Sequence, residues 1–429
     1  AAALGVAPAT RAWAADSDLK TAAREAWLYG LPTIEMAGTR ARALAGPASP
    51  GVNRFAHARR LATSESRAVT APNNDTLYSS AWLDLTRGPV TLTIPPTGDR
   101  YISIAAMNMF SDNDAVLGTR ATGRMGGRFT LVGPGVATEG PGVVRIATPH
   151  AWLLARTLVS GPDDLPAVHK VQDALILDGP TGMTYPPVVG RDAPALDYFT
   201  SLAALLESDP PPARDAAFFR AVGSLGLTAA GGFDRARFDA AAGARIEAGV
   251  AEAKAAVRGG PRMTAVQGWN YPPANLGVYG TDYRFRAAVA LAGLAALPPA
   301  EATYLHPVGE DGRMFKGPGP YRLHFPPGGL PPVDGFWSLT MYEATPQGQY
   351  FLVPNPAGRY SIGDRTPGLT PNIDGSLDIW IARADPGGAR SANWLPAPAL
   401  GPFTLSLRAY LPHKELLDGR YRLPAITAA

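Results

Sequence analysis

The chain has 429 residues, 46% hydrophobic and only 17% charged, which gives a sizeable core and excludes wholesale disorder. Its net charge is +3 and its 39 basic residues form no dense cluster, so nucleic acid is not an expected partner. Cysteine is absent, which excludes disulfides, thiolate metal sites and a cysteine nucleophile, while 47 Gly and 43 Pro make the chain too turn-rich for a helical bundle.

Residues 1–14 read as the remnant of an export signal, a small-residue apolar run ending in Ala12-Trp13-Ala14 ahead of Ala15-Asp16. The expected location is therefore periplasmic or secreted, with the numbering starting inside a longer precursor. No apolar run reaches the roughly 18 residues that span a bilayer, so no membrane span is expected. Residues 15–50 form an N-terminal helical segment: Ser17 or Asp18 can cap it, Ala23, Ala26, Trp27, Leu31 and Ile34 recur at helical spacing, and Pro32 should kink or end it.

Over 51–160 the period changes to two. Val90, Leu92 and Ile94 alternate with threonines, Pro95–Gly98 turns the chain, and further strands are expected over 128–132 and 143–147. Residues 161–303 are mostly helical, with helices expected over 163–177, 196–207, 233–257 and 283–297, and a Gly/Pro/aromatic loop over 259–281. Strands return over 304–429: Leu377, Ile379 and Ile381 alternate with Asp378 and Trp380, and Phe403, Leu405 and Leu407 with Thr404, Ser406 and Arg408. The expected fold class is α+β, predominantly β, with two antiparallel β-sandwich or jelly-roll-like domains and a helical insertion between them.

Two groups of motifs carry a family likeness. Pro72-Asn73-Asn74-Asp75-Thr76-Leu77-Tyr78-Ser79-Ser80-Ala81-Trp82, followed by Gly98-Asp99-Arg100-Tyr101, resembles domain of unknown function 1254. Phe336-Trp337-Ser338-Leu339-Thr340-Met341-Tyr342, Arg359-Tyr360-Ser361, Asn372-Ile373-Asp374-Gly375 and Asn393-Trp394-Leu395-Pro396 resemble its usual partner, domain of unknown function 1214. The resemblance implies an exported bacterial protein with two β-domains and helices packed between them. It implies no reaction.

No nucleophile elbow, zinc-protease motif, Walker loop or dinucleotide fingerprint is present, and no two of the six histidines lie within four residues of each other, so neither a metal nor a cofactor is expected. The strongest catalytic candidates are Asp75 and Tyr78. A carboxylate beside amides and a phenol can move protons, although Asn-Asp-Thr ahead of a strand is also ordinary turn chemistry. Substrate contacts are expected from Asn74, Trp337, Tyr342, Arg359 and Arg408: aromatic faces meet a ring, and arginines clamp an anion. Arg408 alternates with apolar neighbours and so faces away from its own core.

Two functions of different class fit. One is a hydrolase-like enzyme acting by carboxylate acid–base chemistry on a small or oligomeric polar substrate, a glycoside or an amide, in an inter-domain cleft. The other is a non-catalytic ligand-binding or assembly protein, for which a homo-oligomer through the aromatic sheet face is a natural partner. The enzyme reading loses its motive if every one of Asp75, Asp84, Asp374 and Asp378 is spent on backbone turns.

Overall fold

Alternating stretches become strands and alanine-rich ones become helices in the computed structural model, which describes residues 18–429 other than 68, 311, 313 and 318. The export-signal reading of residues 1–14 lies outside the described residues. The front strands are β1 (Ala56–His57), β2 (Thr76–Asp84), β3 (Val90–Ile94), β4 (Ile102–Asn108), β5 (Asn113–Gly118), β6 (Gly127–Val132), β7 (Val143–Arg145), β8 (His150–Leu158) and β9 (Ile176–Asp178). They make a five-stranded sheet, in the order β1-β2-β8-β4-β5, and a four-stranded one, β7-β6-β3-β9. Pairing is antiparallel except between β6 and β7. Period two decides what each face touches. Along β8, Ala151, Leu153 and Ala155 share a core with Leu92, Ile94 and Leu131 of the four-stranded sheet. Leu154 and Leu158 point the other way, into a core shared with the helices.

The helices are α1 (Leu19–Ala45), α2 (Leu165–Asp173), α3 (Ala195–Ser208), α4 (Ala216–Ala221), α5 (Ala240–Val257), α6 (Tyr283–Gly293) and the short α7 (Lys414–Leu417). Asp18 starts α1 by accepting the Lys20 and Thr21 amides. Pro32 does not end this helix, which continues through it to Ala45. Trp27, Tyr29, Leu31 and Ile34 around it are buried, and that packing offsets the hydrogen bond a proline removes. Two glycines let α1 sit close: a Cβ on Gly249 of α5 would lie 2.2 Å from the Lys20 carbonyl oxygen, and one on Gly30 would lie 2.3 Å from the Leu202 side chain.

Other expected helices are shorter than their sequence pattern. The one expected to reach Leu177 stops at Asp173, because Leu177 pairs with Leu92 as part of β9. The one expected from Phe233 begins at Ala240, where the Asp239 carboxylate accepts the Ala242 amide at 2.8 Å. The last stops at Gly293, and Ala295 takes a left-handed φ of 71°.

The rear strands are β10 (Thr264–Val266), β11 (Trp269–Tyr271), β12 (Ala302–Pro307), β13 (Tyr321–Phe325), β14 (Val333–Ala344), β15 (Tyr350–Leu352), β16 (Ser361–Gly363), β17 (Leu377–Ala382), β18 (Trp394–Pro396), β19 (Phe403–Pro412) and β20 (Ile426–Ala428). A seven-stranded sheet runs β10-β11-β12-β19-β14-β15, with β16 also on β14, and a four-stranded sheet runs β18-β17-β13-β20. The stretch expected to be a loop thus contributes the hairpin β10–β11 to the rear sheet. Leu305, Leu339, Met341, Leu405 and Leu407 meet Leu323, Phe325, Ile379 and Ile381 in the rear core. The fold is α+β, with antiparallel and mixed sheets. The face of β12, β14 and β19 turned away from the rear core meets the front sheet: Phe336 stacks on Tyr410 at 4.1 Å, and Tyr101 packs edge-on against Tyr410 at 5.2 Å.

Candidate functional site

The turn that leads into β2 ties the two sheet systems together. The Asn73 carboxamide oxygen accepts the Asp75 amide at 2.6 Å, an Asx turn, while its Nδ2 donates to the Tyr410 hydroxyl at 2.7 Å. The Pro72 carbonyl accepts the Tyr342 hydroxyl at 2.8 Å. Asp75 then extends into the rear sheet: its Oδ2 accepts the Ser338 hydroxyl at 2.8 Å and lies 4.0 Å from Nη1 of Arg408. Among the described residues, Oδ1 takes no hydrogen bond. Arg408 also donates to Thr340 Oγ1 at 2.6 Å and to the Tyr342 hydroxyl at 2.5 Å. This convergence follows from the pleat. Ser338, Thr340 and Tyr342 alternate with the core residues Trp337, Leu339 and Met341, and Arg408 stands opposite Ser338 in register.

The opposing wall comes from the front sheet. Tyr78 and Ser103 flank Arg156 in register on β2 and β4. The Arg156 guanidinium lies 5.4 Å from the Tyr78 ring centroid, and its Nη2 donates to the Ala295 carbonyl at 2.9 Å. Tyr304, in register with Arg408, has its ring 5.8 Å from the Arg408 guanidinium. Tyr101 donates to Glu301 at 2.9 Å, and Arg120 pairs with the same carboxylate at 2.7 Å. Arg156 and Arg408 are buried, whereas Tyr78 and Tyr304 between them keep solvent-reached surface. The junction therefore sets two buried guanidinium groups beside phenols, of which Tyr78 and Tyr304 keep some solvent-reached surface.

Burial raises the Asp75 pKa above the ordinary carboxylate value, against the opposing pull of the Arg408 cation and the Ser338 hydrogen bond. Burial likewise raises Tyr101, Tyr304 and Tyr410, so these phenols are neutral near pH 7. A further carboxyl stands within electrostatic reach of Asp75. Asp364, beside β16, accepts the Trp337 amide at 3.1 Å, and its pKa is raised by desolvation of the carboxyl and by the Asp75 charge, although the residue as a whole is exposed.

Of the residues singled out from sequence, Asp75, Tyr78, Tyr342 and Arg408 gather here. Asn74 sits beside them but donates to the Ala62 carbonyl at 2.5 Å, holding the turn. Trp337 does not join them: its parity along β14 sends it into the rear core against Phe325, 5.5 Å away. Arg359 is committed to its own neighbourhood, donating to the carbonyls of Ala392 and Trp394 at 3.0 and 2.8 Å. The four aspartates do not share a pocket. Asp84 accepts the Thr86 amide at 2.8 Å, Asp374 the Ser376 amide at 3.0 Å, and Asp378 contacts His324 at 2.7 Å. Sequence reasoning missed Arg156, Tyr304, Ser338 and Asp364. The one available signal was Arg156 itself, a lone cation within the apolar run Ala151–Leu158.

Hollows elsewhere are less well furnished. A cavity of about 500 Å³ is lined by Asp114, Ala115, Glu139, Gly140 and Val143–Arg145, and another of about 700 Å³ by residues including Arg54, His57 and Arg128. Among the described residues, no three His, Asp or Glu side chains are grouped to hold a metal ion, and no helix is long and apolar enough to cross a membrane. Asp114 has its pKa pushed up from 3.8 to about 6, by burial first, with the Ala147 amide and Asn108 opposing. Between those values the folded state holds more protons than the unfolded one, so stability falls as pH rises through the window. Denaturant midpoints of the wild type and Asp114→Asn should accordingly shift relative to each other between about pH 4 and 6, the wild type losing ground, and run parallel above it.

This architecture has a solved counterpart. The chain superposes on the VPA0106 protein from Vibrio parahaemolyticus with a TM-score of 0.73 at 22% identity, over 96% of this chain and all of the other. A weaker likeness, TM-score 0.45 at 15% identity, links 91% of it to 86% of an uncharacterised protein from Burkholderia cenocepacia. No curated protein matches. Residues 52–179 match the family described as Protein of unknown function (DUF1254), and residues 301–414 match Protein of unknown function (DUF1214). The chain belongs to the family that joins these two domains, and the two matched segments meet at the Asp75–Ser338 junction.

Proposed function

We propose that this junction opens as a recess and is an active site, in which Asp75 moves a proton to or from a small polar substrate in a hydrolase-like reaction. One observation carries this reading: a front-domain carboxyl, its proton affinity raised by burial, is held by a rear-domain hydroxyl and keeps one oxygen free of hydrogen bonds, and it and Tyr78 both stand within electrostatic reach of Tyr342. Raised proton affinity keeps an acid form available above the usual carboxylate range, which suits a general acid. Tyr78 stands as second proton donor or oxyanion partner, and Asp364 as the ionisable neighbour. Arg408 and Tyr342 hold Asp75 in place from behind. The substrate is a glycoside or an amide, the paired sheets of each half act as sandwiches of the jelly-roll type, and the protein works after export, in the periplasm or outside the cell.

Asp75→Asn tests the reading. Against a panel of 4-nitrophenyl glycosides, esters and anilides, the variant is expected to lose roughly 10²- to 10⁴-fold in turnover while keeping its circular dichroism. Unchanged turnover removes the acid–base role. If the wild type converts nothing in the panel yet binds saturably, the alternative of a non-catalytic binding protein takes its place.

A further inference from the structure

We propose that the ligand of this recess carries a carboxylate, and that Arg156 receives it. The inference rests on reading the recess as a ligand site and adds the chemical class of the ligand. Arg156 is 4% exposed, and its Nε and Nη1 have no hydrogen-bond partner. Only Nη2 is engaged, by the Ala295 carbonyl. A buried guanidinium with idle N–H groups is costly unless an anion meets it.

Two other buried arginines with idle nitrogens show how this fold satisfies such a group internally. Arg40 lies 3.9 Å from the Asp209 carboxylate. Arg286 is enclosed by the rings of Tyr29, Phe110 and Tyr283 at 5.0, 5.6 and 5.2 Å. Arg156 has neither arrangement. One ring, that of Tyr78, lies against it, and the nearby Glu301 carboxylate is engaged by Arg120 and Tyr101. What separates Arg156 further is its place, behind the solvent-reached Tyr78 and Tyr304.

Charge counting selects the ligand class. Arg408 has Asp75 at 4.0 Å, Arg120 has Glu301 at 2.7 Å and Asp364 has the Arg365 charge, so Arg156 is the cation left over. A monoanion balances it, whereas a phosphate dianion would leave a buried negative charge, and the neutral phenols around it supply no compensating cation. A carboxylate also accepts several N–H bonds from a guanidinium at once. Its apolar or ring portion would then lie along Tyr78 and Tyr304.

Isothermal titration of the intact protein with benzoate, hexanoate and succinate, beside benzamide, inorganic phosphate and sulfate, tests this. Saturable binding of at least one carboxylate is expected, with benzamide, phosphate and sulfate at least tenfold weaker, and with a tenfold or greater loss in Arg156→Met. Ser103→Asp provides an independent check, because residue 103 stands opposite Arg156 in register and would supply the anion from within. That variant should refuse the carboxylate. No carboxylate binding below 10 mM in the wild type, phosphate or sulfate binding more tightly than every carboxylate, or undiminished affinity in either variant would overturn the assignment. Asp75→Asn should still bind the carboxylate, so failure of the proton-transfer reading and failure of this one are seen separately.

Discussion

Arg408→Ala is expected to lower the thermal unfolding midpoint by roughly 3–6 °C, the equivalent of about 3–5 kcal/mol for breaking a buried charged cluster. The side chain is 5% exposed and holds Thr340 and Tyr342 while facing Asp75, so its loss takes a donor from two hydroxyls and the cation from a buried carboxylate in one place. The effect should also depend on pH. Arg408 opposes the burial that raises the Asp75 pKa; without the cation that pKa climbs further. A carboxyl that binds protons more tightly when folded loses stability as pH rises from its unfolded pKa through its folded one. The variant's deficit should therefore widen from acid toward neutral pH. Adding Asp75→Asn removes the stranded charge and should recover part of the loss, which scans of the single and double variants across pH 4–8 will show. A single variant melting within 2 °C of the wild type at pH 7 would mean that this cluster does not hold the junction.

Gly249→Ala is expected to cost about 3 kcal/mol, at the upper end for overpacking. Helix propensity argues the other way, since alanine is favoured over glycine by about 1 kcal/mol in a helix interior. Contact decides between them. The new Cβ would sit 2.2 Å from the Lys20 carbonyl oxygen, a backbone atom of α1 that cannot rotate aside. The same substitution at Gly243, in the same helix, meets nothing within 4 Å and should be neutral or stabilising by up to about 1 kcal/mol. Opposite signs from identical chemistry two turns apart, read from denaturation midpoints, would isolate the helix crossing as the cause. Equal shifts would refute it.

How far the sequence speaks for this molecule depends on whether the deciding force is local. The alternation along Phe403–Arg408 announces a two-faced strand, and it correctly turns Arg408 away from the rear core. The same rule applied to Phe336–Tyr342 separates Trp337 from Ser338 and Tyr342; Trp337 entered the candidate set on its chemistry, and strand parity places it in the core. Asn73 and Asp75 show turn chemistry in sequence and make that turn, yet the partners that give the turn its interest, Ser338 and Tyr410, lie in the rear half of the chain. Arg156 sits in a run that any periodicity argument assigns to a buried strand, as it is. That its guanidinium would face the proposed recess depends on Tyr304 arriving from another sheet. Tertiary pairing also shortened one helix, through the pull of β9 onto β3, and a left-handed turn at Ala295 follows the early end of another.

The hydrogen bond between Ser338 and Asp75 joins positions 263 residues apart. At a synthesis rate of about 5–20 residues per second, the earlier partner leaves the ribosome roughly 13–50 s before the later one exists. During that interval the front sheets can close their own core while the Asn73–Asp75 turn stays hydrated and ionised, with nothing to dock against. The nascent chain thus passes through a half-molecule whose Asp75 carboxyl is not yet buried, and it is the arrival of the rear sheet that raises its proton affinity.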